Sequence, residues 1–214
     1  MKDKDILRYL KKGHFRVSVF GSARIKEGSY VYNQVKSLGK MLGERGIDLV
    51  SGGGPGVMEA SIAGHKIGRK KTNAKAIGLG IKLPHEQRFA KGLTLKKEFA
   101  RFSGRLDNFM LLSDAVVVAP GGIGTMLELF YAWQLVQVEH ICNIPVILMG
   151  DMWKGLVKWL EKEPLRRRYF EKRTRRMVFV ARDCKEVIRM IDKAYDAFKK
   201  DDKNFCLNFE KYSL

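Results

Sequence analysis

The sequence is poor in cysteine and has no long apolar run. The three cysteines, Cys142, Cys184 and Cys206, are odd in number and show no CxxC spacing. This spacing argues against a disulfide framework or a structural zinc site, and it predicts three inert thiols in a reducing cytosol. No stretch approaches the ~18 apolar residues that cross a bilayer. The charged N-terminus is unlike a signal peptide, so we expect a cytoplasmic protein without a membrane segment.

Acidic residues are scarce relative to basic ones. The chain of 214 residues has 23 Asp and Glu against 41 Lys and Arg, a formal net charge of +18. Such an excess attracts anions, whether nucleic acid, acidic lipid headgroups or phosphorylated metabolites. The length favours one large domain over two, and a 45% hydrophobic share is sufficient for a full core.

Short apolar runs alternate with longer amphipathic segments through most of the chain. The runs are rich in Val and Ile and lack strict polar alternation, which is typical of strands covered on both faces. They occupy residues 17–20, 47–50, 76–81, 115–118, 145–149 and 177–180. Helical periodicity appears between them, for example over residues 30–44 and 152–161. This alternation predicts an α/β fold, a single-domain, Rossmann-like, doubly wound parallel sheet with helices on both faces.

The boundaries of that domain follow from the ends of the pattern. Residues 1–14 are predicted to form a leading helix, residues 15–199 the nucleotide-binding domain, and residues 200–214 a C-terminal tail. The chain has no internal repeat and no low-complexity segment. A basic stretch over residues 166–176 is interpreted as a solvated loop between the last two strands.

Glycine-bearing loops follow three of the predicted strands. They read Gly-Ser-Ala-Arg from residue 21, Ser-Gly-Gly-Gly-Pro-Gly from residue 51 and Pro-Gly-Gly-Ile-Gly-Thr from residue 120. Parallel sheets bind ligands beyond the carboxyl ends of their strands, so all three loops should face one crevice. The pattern predicts a phosphate or nucleotide site there.

The third loop is the most informative, because it opens a helix. Gly121, Gly122 and Gly124 leave the backbone uncovered, and the first helical turn adds unpaired N–H groups and its positive dipole end. Thr125 adds a hydroxyl donor. No Gly-Lys-Ser/Thr follows, which excludes a Walker A loop, and the spacing of the second glycine loop is not that of a dinucleotide fingerprint.

These residues carry a family resemblance. PGGIGTMLE at residues 120–128, with GSAR and SGGGPGVMEA upstream, resembles the Lonely Guy family of phosphoribohydrolases. The family pattern is Pro-Gly-Gly-x-Gly-Thr-x-x-Glu, which the segment satisfies at every fixed position. The likeness extends from about residue 17 to about residue 160. Many such proteins were once labelled lysine decarboxylases, but no lysine here stands out as a Schiff-base site, and that reaction would need a cofactor such as pyridoxal phosphate.

The resemblance implies an activity and a set of site residues. Members of the family cleave the N-glycosidic bond of nucleoside 5′-monophosphates, with AMP or cytokinin riboside monophosphate as typical substrates, and release free base and ribose 5-phosphate. Arg105 and Glu128 match the catalytic pair, and no cofactor or metal is expected. The remaining residues match substrate- and phosphate-binding positions: Ser22, Gly54, Met58, Glu86, Gly121, Gly122, Gly124 and Thr125.

The chemistry suits the two catalytic candidates. Ribosyl transfer passes through a state with positive charge on the sugar, which a carboxylate such as Glu128 can stabilise. Arg105 can grip the phosphate or polarise the departing base. Structural alternatives exist for both, because an acid near a helix N-terminus is favoured by the dipole and Arg105 could be a surface cation.

Two positions depart from the family pattern. Leu106 stands where the family usually has lysine, so a second cation near the substrate is missing. Leu127 stands where plant members have the first residue of a Glu-Glu pair. The missing lysine bears on rate and substrate choice more than on the site itself. The change at Leu127 is tolerable, because the fixed acid of the pattern is the second of the pair, Glu128.

Two other function classes remain open. Molybdenum-cofactor carriers share this sheet and a similar glycine loop and hold a phosphorylated ligand without cleaving it. A Rossmann-like nucleic-acid binder would use the charge of +18, but no binding module is recognisable and the aromatics do not interleave with a basic stripe.

Self-association is the last expectation from the sequence. Relatives are dimers or larger, and a segment rich in large apolar residues follows the third glycine motif. The residues that crowd this segment are Phe130, Tyr131, Trp133, Leu135 and Val136. We expect a homodimer or higher homo-oligomer that forms through helices beside the motif.

Overall fold

A computed structural model describes residues 13–82, 88–200, 206 and 208–211. In this part of the chain, seven strands form one parallel sheet with the order β4-β3-β2-β1-β5-β6-β7. The strands are β1 (Arg16–Phe20), β2 (Asp48–Ser51), β3 (Ala76–Ile81), β4 (Leu95–Phe99), β5 (Ala115–Val118), β6 (Val146–Met149) and β7 (Val178–Ala181).

Helices cover both faces of the sheet. They are α1 (Tyr30–Glu44), α2 (Val57–Gly68), α3 (Phe102–Leu111), α4 (Ile123–Gln137), α5 (Met152–Leu160), α6 (Lys172–Arg176), α7 (Cys184–Lys199) and α8 (Asn208–Lys211). A 3₁₀ turn over Arg69–Lys71 follows α2, and a π-helical turn over Glu161–Leu165 extends α5.

Each central strand contributes to two cores, one on each side of the sheet. In β5, Val116 and Val118 pack with α3, α4 and α5, whereas Ala115 and Val117 pack with α1, α2 and α7. All four side chains are fully buried. Successive side chains of a strand point to opposite faces, so a strand covered on both sides must be apolar throughout. This confirms the predicted doubly wound α/β fold.

The sequence pattern missed one strand. β4 has the sequence LKKEF, and its side chains alternate between half-buried and exposed. It pairs with β3 alone and forms the edge of the sheet. An edge strand is only partly covered, so it lacks the continuous apolar run by which the other six were recognised.

Helices α1 and α2 pack unusually closely through glycine. A Cβ on Gly64 would lie 1.8 Å from the carbonyl oxygen of Lys36, and one on Gly68 would lie 2.0 Å from that of Lys40. On the facing helix, a Cβ on Gly39 would lie 2.2 Å from the carbonyl oxygen of Ser61. Backbone therefore lies directly against backbone at the contact between the two helices.

Two cysteines form a disulfide, contrary to the expectation of three free thiols. Cys142 and Cys206 are joined with Cα atoms 5.6 Å apart, whereas Cys184 is free and buried. The expectation was wrong because the pair is 64 residues apart in sequence and only the fold brings it together. A cytoplasmic location stays a prediction, now without the support of free thiols.

The basic stretch is also more ordered than a solvated loop. Residues Lys172–Arg176 form α6, and Arg175 donates from Nε to Glu161 and from Nη1 to the carbonyl oxygen of Val178. Helix α8, with buried Asn208, lies in the predicted tail. The predicted leading helix falls almost wholly outside the described residues. No helix within the described ranges is long and apolar enough to cross a membrane.

Candidate functional site

The three glycine loops meet at the carboxyl ends of β1, β2 and β5. The backbone N–H of Ser22 donates to the carbonyl oxygen of Pro120 (3.1 Å), and that of Val57 donates to the carbonyl oxygen of Ser22 (3.0 Å). The sheet order reverses direction between β1 and β5, and in open α/β sheets the ligand crevice lies at such a point.

A cleft of about 530 Å³ lies between these loops. Its volume is within the range of sites for small molecules. Seven predicted site residues line it: Ser22, Met58, Arg105, Gly122, Gly124, Thr125 and Glu128. The cleft therefore unites residues from α2, α3 and α4 and the loop after β1.

The other three predicted residues have different positions. Gly54 lines a small adjoining cavity with Arg88, Phe89 and Glu98, and Gly52 borders both spaces. Gly121 lies beneath the loop, where a Cβ would be 2.1 Å from the Thr125 hydroxyl oxygen. Glu86 lies outside the described residues.

The first turn of α4 forms an open cradle. A Cβ on Gly122 or Gly124 would meet no atom within 4 Å, so the space above both glycines is empty of protein. The first N–H groups of a helix have no partner within the helix, and the dipole adds partial positive charge. The Thr125 side chain is buried against the loop. These features are suited to a phosphate held close to the backbone.

Arg105 is held in place by backbone and ring contacts. Its Nε donates to the carbonyl oxygen of Leu79 (2.8 Å), and its guanidinium carbon lies 5.1 Å from the centre of the Phe109 ring. A Cβ on Gly52 would lie 2.5 Å from Nη2, so a larger residue there would displace the guanidinium from this position. Burial lowers the pKa of Arg105, an effect that Glu128 opposes.

Glu128 faces Arg105 across the cleft. Its Oε1 lies 3.5 Å from Nη2 of Arg105, and each side chain is 12% exposed. Burial raises the pKa of the Glu128 carboxyl to about 7, although the Arg105 charge acts in the opposite direction. The carboxyl can therefore exchange a proton near neutral pH, which suits a group that acts on charge developing in a reaction.

Helices α3 and α4 are joined behind this pair. The Tyr131 hydroxyl on α4 donates a hydrogen bond to the Asp107 carboxylate on α3. Tyr131 is one turn beyond Glu128, and Asp107 is two residues beyond Arg105. The contact joins the helices that carry the two charged groups.

Leu106, which stands where the family usually has lysine, is buried in the structure. Its side chain is 5% exposed and does not line the cleft. Leu106 therefore contributes to the core in this chain, and the cleft cations in the part described by the structure are Arg24 and Arg105.

Several cleft residues were not predicted. Arg24 follows Ser22 in the first glycine loop, and its N–H donates to the Ser22 hydroxyl (3.0 Å). Phe102 and Ile123 form apolar parts of the wall and are 51% and 82% exposed. The sequence shows that both residues are apolar and lie beside a motif. It does not show that they face solvent, and only that exposure marks them as cleft residues.

Comparisons with known proteins support a family assignment. A pyrimidine/purine nucleotide 5′-monophosphate nucleosidase from Escherichia coli K12 is 27% identical over 143 residues, 63% of this chain and 30% of that protein. A probable cytokinin riboside 5′-monophosphate phosphoribohydrolase from Oryza sativa subsp. japonica is 30% identical over 157 residues, 69% of this chain and 59% of the rice protein. The chain spans less than a third of the E. coli relative and somewhat more than half of the rice one.

Solved structures share the fold at lower identity. The molybdenum cofactor binding protein from Rippkaea orientalis superposes with a TM-score of 0.63 at 21% identity, covering 86% of this chain and 98% of that one. The molybdenum cofactor carrier protein from Chlamydomonas reinhardtii gives 0.61 at 20%, covering 86% and 99%. DNA processing protein A from Helicobacter pylori gives 0.52 at 18%, covering 86% and 83%.

The model of the family described as possible lysine decarboxylase matches residues 53–191, which include most of the second glycine loop, the whole third loop, Arg105 and Glu128. This match covers more than half of the chain and agrees with the two curated relatives. The chain belongs to that family, the Lonely Guy family that its glycine motifs resemble.

Proposed function

We propose that this protein hydrolyses the N-glycosidic bond of a nucleoside 5′-monophosphate. The observation that carries the proposal is the Arg105–Glu128 pair, 3.5 Å apart, in the same cleft as the open first turn of α4. A phosphate on that turn would anchor the substrate away from the reacting bond. Binding energy gained at a remote group can hold the sugar in its reactive geometry.

The reaction needs charge stabilisation more than covalent chemistry. The bond between C1′ and the base nitrogen breaks, the nitrogen keeps the electron pair, and positive charge develops on the ribose. Among the cleft residues that the structure describes, Glu128 has the carboxylate that can stabilise this charge and orient the attacking water. Water supplies the new C1′ oxygen bond, and its proton goes to the departing base. Arg105 can bind the phosphate or polarise the base.

The names of the relatives support the same reaction class. The E. coli protein is named for pyrimidine and purine monophosphates and the rice protein for cytokinin riboside monophosphate. These names differ in the base but share the 5′-monophosphate and the bond that is cleaved. The proposal therefore rests on the shared part of the substrate, and the preferred base is to be determined by experiment.

The test is a panel of AMP, GMP, CMP, UMP and a cytokinin riboside monophosphate, each incubated with the purified protein. Free base and ribose 5-phosphate are assayed, with the matching nucleosides as controls for the phosphate requirement. We expect monophosphates to be cleaved and nucleosides to be cleaved far more slowly. Arg105→Ala should lower turnover, with weaker binding as well if Arg105 holds the phosphate.

Two outcomes would favour the other function classes. If the protein binds a monophosphate without cleaving any, it acts as a carrier of a phosphorylated ligand. If it cleaves nothing and slows the electrophoretic migration of single-stranded DNA at physiological salt, a nucleic-acid binder is the better description.

We also propose that two copies associate through the exposed side of α4. Ile123, Leu127 and Phe130 on this helix are 82%, 46% and 40% exposed, whereas Trp133 and Val136 belong to the core. Exposed apolar side chains grouped on one helix indicate a contact surface. Leu127→Glu should shift the mass measured by light scattering at micromolar protein from dimer to monomer. A monomeric wild type would contradict the proposal.

A further inference from the structure

A second cavity lies at the end of the sheet opposite to the cleft, where the strands begin. It has a volume of about 630 Å³ and is bounded by the segments that enter β6 and β7, by α6 and by one face of α7. Asn143, Ile144 and Pro145 precede β6, and Met177 precedes β7. The cavity is thus at the amino ends of these strands, whereas the glycine loops are at the carboxyl ends.

The floor of the cavity is apolar. Ile144 and Pro145 form one side, and Phe179 projects from the edge strand β7 with 44% of its surface exposed. Met190 and Ala194 contribute from α7, where a spacing of four residues places them on one face. An aromatic ring and flexible thioethers can adapt to an apolar ligand of variable shape.

The rim of the cavity is cationic. Arg173, Arg176 and Lys193 line it, and no carboxylate is among its lining residues in the described part of the chain. Arg173 forms an ion pair with Glu171 (2.9 Å), and its guanidinium lies 4.0 Å from the Glu139 carboxylate. Arg176 and Lys193 are exposed and have no ion pair with any residue that the structure describes.

The acidic residues of α7 are engaged elsewhere. Glu186 binds Arg182, Asp192 binds Arg45 on α1, and Asp196 binds Lys199. They therefore leave the charge of Arg176 and Lys193 uncompensated at the cavity. Excess charge of one sign around an apolar concavity attracts a ligand of the opposite sign.

We propose that this cavity binds a small organic anion with an apolar or aromatic body. The apolar floor would cover the body, and Arg176 and Lys193 would pair with a carboxylate, sulfonate or phosphate at the rim. The volume is within the range of small-molecule sites. A second copy of the chain fits poorly: a symmetric contact would bring the same cations against this rim, and any other contact would be made by a chain of net charge +18.

The proposal is independent of nucleosidase activity. The cavity lies at the amino ends of the strands and the cleft at their carboxyl ends, and the two share no lining residue. A ligand of the second cavity therefore needs neither the α4 cradle nor Glu128, and ribose 5-phosphate, which has no apolar body, should not compete for it.

The test uses 1-anilinonaphthalene-8-sulfonate, an aromatic sulfonate whose fluorescence rises in an apolar site. The full chain is titrated in the absence and presence of saturating ribose 5-phosphate. The double variant Arg176→Glu with Lys193→Glu is compared with Lys185→Glu. Lys185 is exposed on α7, does not line the cavity and lies on another side of the helix, so its reversal is a matched control. Near-ultraviolet circular dichroism verifies that each variant is folded.

We expect saturable binding that ribose 5-phosphate leaves unchanged. The double variant should bind the probe ~10-fold or more weakly, because each exposed pairing is lost and replaced by repulsion. Lys185→Glu should bind as wild type does. Phe179→Ser should also weaken binding, through loss of apolar contact. Equal affinity in wild type and the double variant, or displacement of the probe by ribose 5-phosphate, would overturn the proposal.

Discussion

Glu128 has its carboxylate 3.5 Å from the Arg105 guanidinium in a setting that raises its pKa to about 7. Below that pH the carboxyl is mostly neutral and cannot stabilise positive charge on a sugar. Above it the group is charged beside Arg105. The ionisation of this one residue should therefore control the pH dependence of the proposed reaction.

We expect kcat/KM for the best monophosphate to rise with pH and to level off above about 7. Glu128→Gln keeps the size and hydrogen bonding of the side chain but cannot ionise. It should lower turnover by ~100-fold or more and abolish the inflection, with little change in nucleotide affinity. Glu44→Gln, an exposed change on α1, is the control. Wild-type turnover in the Glu128→Gln variant would show that the mechanism is wrong.

Gly124 offers a test of the cradle that does not disturb the fold. A Cβ at this position meets no protein atom within 4 Å, so alanine fits the empty cleft. Its methyl group would occupy the space proposed for the phosphate. Gly124→Ala should leave stability unchanged or raise it by up to ~1 kcal/mol, since alanine favours the helix.

The same variant should bind the monophosphate ~10–100-fold more weakly, because hydrogen bonds to a charged phosphate are displaced. Isothermal titration with AMP or the best substrate measures the change, and thermal unfolding verifies the fold. Undiminished affinity would mean that the phosphate lies elsewhere in the cleft.

At the scale of elements, the contact between α1 and α2 depends on glycine. The Cβ that Gly64→Ala adds would lie 1.8 Å from the Lys36 carbonyl oxygen, so the helices must separate. We expect the free energy of unfolding to fall by ~2–3 kcal/mol, as for other overpacked cores. Urea unfolding measures this loss.

Gly155→Ala is the matched control within α5. A Cβ there meets nothing within 4 Å, and the position is exposed and helical. Alanine should therefore stabilise the protein by ~0.5–1 kcal/mol through helix propensity alone. If both substitutions changed the free energy of unfolding in the same direction, steric contact at the α1–α2 interface would not explain the effect of Gly64→Ala.

For the whole molecule, the disulfide ties the C-terminal segment to the body of the domain. Cys206 is linked to Cys142, and buried Asn208 accepts from the Cys142 N–H and donates to the carbonyl oxygens of Met110 and Ser113. Met110 belongs to α3, the helix of Arg105. The tail thus supports one of the two helices that carry the candidate catalytic residues.

Cys206→Ala should lower the free energy of unfolding by ~2–4 kcal/mol under oxidising conditions, because the bridge closes a long loop. Wild type measured with a thiol reductant should lose a similar amount, and the reductant should leave the variant almost unchanged. Urea unfolding with and without reductant gives both comparisons. Equal stability of oxidised wild type and the variant would contradict the expected contribution.

The sequence alone determined the architecture and the place of the candidate site. Six strands were recognisable because covering on both faces makes a strand continuously apolar. The meeting of the glycine loops was predictable because the carboxyl ends of parallel strands lie together at one end of the sheet. Gly122, Gly124 and Thr125 were predicted from this geometry, and Ser22, Met58, Arg105 and Glu128 from the family resemblance. All seven line one cleft.

Only the tertiary structure decided the features that depend on distance between remote residues. The half-covered edge strand β4 has no continuous apolar signal, and the bond between Cys142 and Cys206 spans 64 positions. The pKa of Glu128 depends on its burial and on Arg105, which comes from another helix. The local pattern of a sequence reports how each segment is covered, whereas contacts between segments exist only after the chain has folded.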